Sequence, residues 1–174
     1  RTIIGNPTPD AIFGMTNEFK YKNFDLSILL QGQIGGDIMN ANLEDQHNLD
    51  GVFNVSTEVK DRWRSEENPG NGLVPKTKTG TTELYRLGNS GWVYDASYLS
   101  IKNVTLGYTV PLKSRDLISR LRFYITMQNL ATFTQYPGIS PEVSMNGMSW
   151  KGLGVDRTAY PAPRTFSLGV NVSF

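Results

Sequence analysis

Cysteine is absent from the 174 residues, and histidine occurs once, at His47. The chain therefore has no disulfide framework, no thiolate metal site and no thiol nucleophile. A metal site built from several histidines and a catalytic pair of histidines are excluded in the same way. We predict no cofactor and no metal ion, and we expect His47 to be a surface residue and not a ligand.

Charge of one sign is not in excess, because 17 Lys+Arg and 16 Asp+Glu give a net charge of +1. This balance predicts no nucleic acid partner. Long apolar runs are also missing, since the longest uncharged stretch, 123–141, contains Thr, Gln, Asn, Gly and Pro. It cannot form a membrane-spanning helix, which needs roughly 18 or more apolar residues. The sequence begins at Arg1 without an apolar leader, so we expect part of a longer protein.

Alternation of apolar with small or polar residues is the dominant pattern that is present. It is clearest at the end of the chain, where the apolar positions are Phe166, Leu168, Val170, Val172 and Phe174. The same alternation predicts about five strands in all, at 11–22, 24–34, 97–110, 120–131 and 164–174.

Two local features refine these strands. Lys22 and Asn23 stand between the first two strands and predict a tight hairpin turn. The alternation changes phase near Lys102 and Asn103, which indicates a β-bulge.

The strands and their connections differ from those of an ordinary globular protein. The strands have about 10 to 13 residues, whereas globular strands average roughly 5 to 6 and a tilted membrane strand needs about 9 to 11. Short connections at 22–23 and 111–120 alternate with long ones at 35–96 and 132–163. We therefore predict an all-β fold, in which these are the C-terminal strands of a large transmembrane antiparallel β-barrel with both long loops on the extracellular side.

A series of short sequence motifs carries a family resemblance. They are, in order, GNPTPD at 5–10, YKNFDLS at 21–27, GGD at 35–37, DRW at 61–63, DASYL at 95–99, KNVTLGYTVP at 102–111, QNL at 128–130, PEV at 141–143 and YPAPRTF at 160–166. With them the chain resembles the C-terminal part of a SusC/RagA-like TonB-linked (TonB-dependent) outer-membrane transporter over nearly its whole length. Arg64 and Ser65 depart from the family, which more usually has a Thr-Pro pair there.

The resemblance implies a function as well as a fold. It implies a barrel of roughly 22 strands with a plugged lumen, of which residues 1–174 supply about the last quarter, with the plug and the TonB box outside these residues. The implied function is nutrient import across the outer membrane of a Gram-negative bacterium, for glycans, oligosaccharides or peptides. The implied partners are the remainder of the barrel and plug, a SusD-like surface lipoprotein, TonB and outer-membrane lipid.

Two sets of residues are candidate functional sites. The alternating residues of the last strand, Phe166 to Phe174, resemble the signal that the barrel-assembly machinery recognises, and they also suit a lipid-facing stripe. Aromatic residues in the long loops offer flat faces to a substrate or a partner protein. These are Trp92, Tyr94, Tyr136, Trp150 and Tyr160. Packing of the loops against one another explains each of them equally well.

Other aromatic residues have structural interpretations. Those near strand ends suit the interface girdles of a membrane barrel, namely Phe13, Tyr21, Phe24, Tyr108 and Phe123. Ser56–Glu66 is predicted to be a short helix capped by Ser56 or Thr57, with Val59 and Trp63 on its inner face.

Two other classes of protein are weighed against the transporter. A soluble carbohydrate-binding β-sandwich explains the alternating faces but not the alternation of short and long connections. A β-sandwich hydrolase needs a carboxylate pair, for which Glu142 and Asp156 are the candidates. Residues 37–51 lack the oxygen spacing of a calcium loop, and no catalytic motif is present. We therefore predict that the chain is not an enzyme.

Overall fold

The computed structural model of the chain describes residues 2–49, 54–76, 88–112, 117–145 and 152–174. These described residues form eight strands, β1 (Ala11–Tyr21), β2 (Phe24–Ile34), β3 (Asp37–Asn40), β4 (Val93–Asp95), β5 (Tyr98–Thr109), β6 (Arg120–Thr134), β7 (Val155–Asp156) and β8 (Thr165–Ser173). Short helical elements are α1 (Leu43–Gln46) and 3₁₀ turns at Thr57–Asp61 and Ser90–Trp92. None of the helical elements in these ranges could span a bilayer.

The chain divides into two compact units. The sheet unit comprises Pro9–Gly35, Ala96–Pro141 and Tyr160–Phe174, and the loop unit comprises Arg1–Thr8, Gly36–Asp95 and Glu142–Ala159. Each has its own sheet, of five strands in the order β1-β2-β5-β6-β8 and of three strands in the order β4-β3-β7.

The sheet unit is an antiparallel meander, as the alternating sequence predicts. The hairpin between β1 and β2 turns at Lys22, whose φ of 52° is the left-handed conformation that a two-residue hairpin requires. Strand β6 extends to Thr134, beyond the predicted end at residue 131. The all-β fold and its antiparallel pairing are therefore confirmed, and closure into a barrel stays a prediction.

The predicted bulge lies where the phase of the alternation changes. Across β5, Ile101 pairs with Ala131 and Asn103 with Gln128, so that Lys102 is skipped. On β6 the skipped residues include Asn129, whose φ is 50° and whose side-chain amide donates to the carbonyl of Pro163 at 3.0 Å. Because the bulge shifts the alternation by one residue, the apolar side chains of β5 before and after it lie on the same face of the sheet.

The loop unit joins two segments that are distant in sequence. Strand β3 pairs antiparallel with β4 and parallel with β7. Thr158 N–H donates to Asn42 Oδ1 at 2.8 Å, and Arg157 forms a 3.2 Å ion pair with Glu44. Leu43 and Trp92 form a small buried core. The two long connections of the sequence are therefore tied together by backbone pairing and by side chains.

Two local expectations need correction. His47 was predicted to lie on the surface but is only 6% exposed. Its Nε2 lies 2.8 Å from Glu58 Oε2, and this hydrogen bond replaces the one that the imidazole would otherwise make with water. The helix expected over Ser56–Glu66 is a single 3₁₀ turn, Thr57–Asp61, whose cap is Ser56 accepting from Glu58 N–H. Arg62, the residue after the turn, has an extended backbone conformation.

Candidate functional site

One face of the five-stranded sheet is mainly apolar on every strand, with Asn17 on β1 as a polar exception. Side chains directly opposite each other in a sheet share a face, so the register defines rows that cross all five strands. At the end nearest the hairpin turn, the row is Tyr21, Phe24, Tyr108, Phe123 and Val170. The next row is Phe19, Leu26, Leu106, Ile125 and Leu168. Within the chain this face is exposed, and Leu168 has 84% of its surface accessible.

The height of the apolar face can be compared with that of the apolar band on a membrane β-barrel. It continues to a row that contains Phe13, Leu99 and Phe133. From Phe13 to Tyr21 the backbone rises about 26 Å at 3.3 Å per residue. A strand tilt of roughly 40° reduces this to about 20 Å, close to the apolar band of about 25 Å on membrane barrels. Aromatic rings stand at both ends of the band, and Phe24 and Tyr108 have ring centroids 4.8 Å apart.

The opposite face is polar, and hydroxyl and amide groups predominate on it. One row comprises Glu18, Ser27, Thr105, Thr126 and Ser167. Thr105 and Thr126 hydroxyls lie 3.0 Å apart, and the Ser100 and Thr132 hydroxyls lie 2.8 Å apart. Ser100 is only 1% exposed, so its pair satisfies a buried hydroxyl, whereas the half-buried Thr105 and Thr126 pair lies on a neutral polar surface.

An ion pair spans three strands on this polar face. Arg122 on β6 donates from Nε to Asp25 Oδ1 on β2 at 2.9 Å, and from Nη2 to Oδ2. The guanidinium passes over Gly107 of β5, where any Cβ would overlap it. Its Cζ also lies 5.2 Å from the ring centroid of Tyr124, and that ring covers Gly169 of β8. Two glycines thus provide the space in which long side chains cross their neighbouring strands.

Further charges surround the ion pair near the hairpin turn. Arg120 and Lys20 act electrostatically on the Asp25 carboxylate. Together with Glu18 they line an open cleft of about 490 Å³. The rest of the polar face carries few charges, so the cleft is its most strongly charged part.

The predicted assembly-signal residues follow the register of β8. Phe166, Leu168 and Val170 pair with Met127, Ile125 and Phe123 on the apolar face. Val172 pairs with Leu121, and Phe174 lies just beyond the end of the strand with 90% of its surface exposed. Their role as a recognition signal stays a prediction.

The loop aromatics lie in different environments. Trp92 and Tyr136 are 6% and 4% exposed, whereas Tyr160 is 90% exposed. Tyr94 is half-buried beside the Leu43 and Trp92 core. Burial raises the pKa of Tyr94, and the Glu58 carboxylate adds to that effect. Trp150 lies outside the described residues. Of the described members, Tyr160 has the ring most accessible to another molecule.

Sequence reasoning missed the Asp25–Arg122 ion pair and the hydroxyl pairs. A signal for the ion pair was available, because opposite charges occur inside two predicted strands, at Asp25 and Arg122. Which residues would meet could not be read from the sequence, because 97 positions separate them. Within the described residues, no group of three or more His, Cys, Asp and Glu side chains could hold a metal ion.

Comparisons with known proteins relate the whole chain to one kind of receptor. It is 35% identical over 180 residues to TonB-dependent receptor P3 of Formosa agariphila, matching 100% of this chain and 17% of that protein. It is 29% identical over 185 residues to TonB-dependent receptor SusC of Bacteroides thetaiotaomicron, matching 99% of this chain and 16% of SusC. No family model matches the chain.

A solved structure of the RagAB peptide transporter has the same fold. It superposes with a TM-score of 0.78 at 25% identity, over 97% of this chain and 18% of that chain. The chain therefore spans less than a fifth of the relatives that it matches.

Proposed function

The chain belongs to the SusC/RagA-like TonB-dependent receptors, and from this premise we propose that it forms part of the wall of an outer-membrane barrel that imports nutrients. The proposal depends chiefly on one observation, the two-faced sheet. An apolar face about 20 Å high suits lipid, and a face of hydroxyl and amide groups suits a water-filled lumen.

The connections give the wall its orientation in this proposal. Short connections at the hairpin turn and between β5 and β6 face the periplasm, as in barrels of known topology. The long connections, after β2 and after β6, face the outside. The proposed roles of the loops are to contact a glycan or peptide substrate and a SusD-like lipoprotein. TonB would act through parts of the protein outside these residues.

Among the loop aromatics, exposure favours different roles in this proposal. Tyr160 is the described ring best suited to contact a substrate or the lipoprotein. Trp92 and Tyr136 support the loops from within, because little of either ring reaches solvent. Tyr94 has a similar supporting role in the loop unit, at the margin of the core formed by Leu43 and Trp92.

Site-specific labelling tests the orientation. In a cysteine-free background of the full-length protein, Tyr160→Cys and Lys22→Cys place one thiol in a long connection and one in the hairpin turn. We expect a membrane-impermeant maleimide to label Tyr160→Cys on intact cells and Lys22→Cys only after the outer membrane is opened. Labelling in the reverse order would overturn the orientation, and recovery of the protein as a soluble particle would overturn the membrane assignment.

An uptake assay tests the import step. Cells that lack the protein should accumulate less of a radiolabelled oligosaccharide or oligopeptide mixture, and the wild-type gene should restore uptake only when TonB is active. Unchanged uptake of both mixtures in the deletion strain would contradict the proposal.

A soluble carbohydrate-binding β-sandwich is less well supported. In a sandwich, the apolar face of one sheet packs on a second sheet. Over the described ranges, the sheet unit contains one sheet, and its apolar face is exposed.

A further inference from the structure

The loop unit contains a cavity that the wall function does not use. Its volume is about 600 Å³, within the range of small-ligand sites. The residues that matter for its chemistry are His47, Trp63, Leu73, Val74, Lys76 and Trp92.

The floor of the cavity is built from buried side chains. Val74 is 1% exposed, and its carbonyl accepts from Trp63 N–H at 2.9 Å, which fixes the irregular segment that forms one side. Trp92 belongs to the core of the unit. His47 is held by Glu58. The floor is therefore preformed, and a ligand need not order it.

The mouth of the cavity presents an apolar side chain to water. Leu73 is 78% exposed although it lines the cavity. At the adjacent Gly72, an added Cβ would meet nothing within 4 Å, so the entrance is open on that side. Contact between this exposed leucine and an apolar ligand would be favourable in free energy, because it removes apolar surface from water.

One positive charge stands at the cavity. The Lys76 ammonium lies 5.3 Å from the ring centroid of Trp63, within the range of a cation–π contact. This contact holds the ammonium beside the apolar lining while the side chain stays exposed. The cavity thus combines an apolar floor with a cation at its edge.

We propose that this cavity binds an apolar organic carboxylate, such as the C-terminal residue of a short peptide. The apolar side chain would lie between Leu73 and Trp92, and the carboxylate would accept a charge-assisted hydrogen bond from Lys76. A neutral sugar fits less well, because its hydroxyls would lose water against a mainly apolar lining. The inference names a substrate class for the import proposed above and rests on that function only for its biological role.

Binding to the full-length protein in detergent tests the inference without transport. The probe is radiolabelled N-acetyl-leucyl-leucine in equilibrium dialysis, compared with its C-terminal amide. We expect the free carboxylate to bind about tenfold more tightly than the amide. In Lys76→Met this preference should disappear, whereas Leu73→Asp should weaken both forms. Lys60→Met is the matched control, because Lys60 is an exposed lysine of the same unit that does not line the cavity.

The outcomes are distinct. N-acetylleucine as a competitor identifies the source of the carboxylate: equal affinity indicates a single apolar acid, weaker affinity indicates a peptide terminus, and either supports the site. Equal binding of acid and amide, loss of the preference in Lys60→Met, or displacement of the probe by neutral maltohexaose would overturn it. If the wild-type protein binds no probe but still restores uptake in cells, the cavity proposal is wrong and the import function stands.

Discussion

Arg122 on β6 binds both carboxylate oxygens of Asp25 on β2, although β5 runs between their strands. The contact depends on a residue that takes no part in it, because Gly107 leaves the space through which the guanidinium passes. A cross-strand ion pair normally joins neighbouring strands, and here it ties three together.

We expect Gly107→Ala to break this pair. The new methyl group would displace the guanidinium and leave both charges without their partner, at a cost of about 1–2 kcal/mol after allowance for their partial exposure. Urea unfolding of the full-length protein from lipid vesicles measures the loss.

Gly14→Ala is the control for Gly107→Ala. It adds the same methyl group on the same face, where the nearest atom, the Leu30 carbonyl oxygen, is 3.8 Å away. In the Gly107→Ala background, Asp25→Asn should then cost little more. Equal losses from the two glycine variants, or full additivity with Asp25→Asn, would contradict the account.

Adjacent residues on β6 distinguish the two faces of the sheet. Met127→Arg places a charge in the middle row of the apolar face and should destabilise the inserted protein by about 2–4 kcal/mol. Gln128→Arg, one residue further on and on the polar face, should fold nearly as well as the wild type. The measurement is the folded fraction by heat-dependent gel mobility and by unfolding from vesicles. Similar losses from both variants would mean that the apolar face does not contact lipid.

Phe174→Ala should reduce the amount of barrel inserted more than the activity of each inserted molecule. We expect this because the exposed terminal ring resembles the last residue of the signal that the barrel-assembly machinery recognises. Quantitative outer-membrane blots give the yield, and uptake per folded molecule gives the activity. Tyr160→Ala removes another exposed ring outside β8 and should insert normally. A normal yield from Phe174→Ala would refute the assembly role.

Alkaline pH should weaken the loop unit through Tyr94. Its pKa is raised above the ordinary 10.0, so the folded state favours the neutral phenol. The associated stability is complete below the unfolded pKa of about 10 and is lost as pH rises through the folded pKa. Tyrosinate absorbance, as the difference between wild type and Tyr94→Phe, should show one group that titrates above 10. A difference curve centred at or below 10 would contradict the burial argument.

The sheet was predictable because its pairing is local. Strands adjacent in the sheet follow one another in sequence when the short loop strands are left out, and each carries an alternation that fixes its faces, with one phase change in β5. Lys22 and Lys102 indicated the hairpin and the bulge for the same reason, since each interrupts a regular pattern at one place.

The loop unit was not predictable because its pairing is remote and its elements are short. Strand β7 has two residues, too few for any period, and it pairs with β3 more than 100 positions earlier. The burial of His47 depends on Glu58, which only the folded loop brings within 2.8 Å. Composition identified these residues as polar loop, but their partners depend on tertiary contacts.

The parallel pairing of β3 with β7 bears on how such receptors can diversify. Each long connection leaves and rejoins the five-stranded sheet at neighbouring strands, β2 with β5 and β6 with β8, so exchanging either would leave the hydrogen bonds between those strands in place. The two connections nevertheless share one small sheet and the 3.2 Å Arg157–Glu44 ion pair. Grafting one loop from a relative would leave these contacts unmatched, so we expect the loop unit to keep its structure only when both loops are exchanged together.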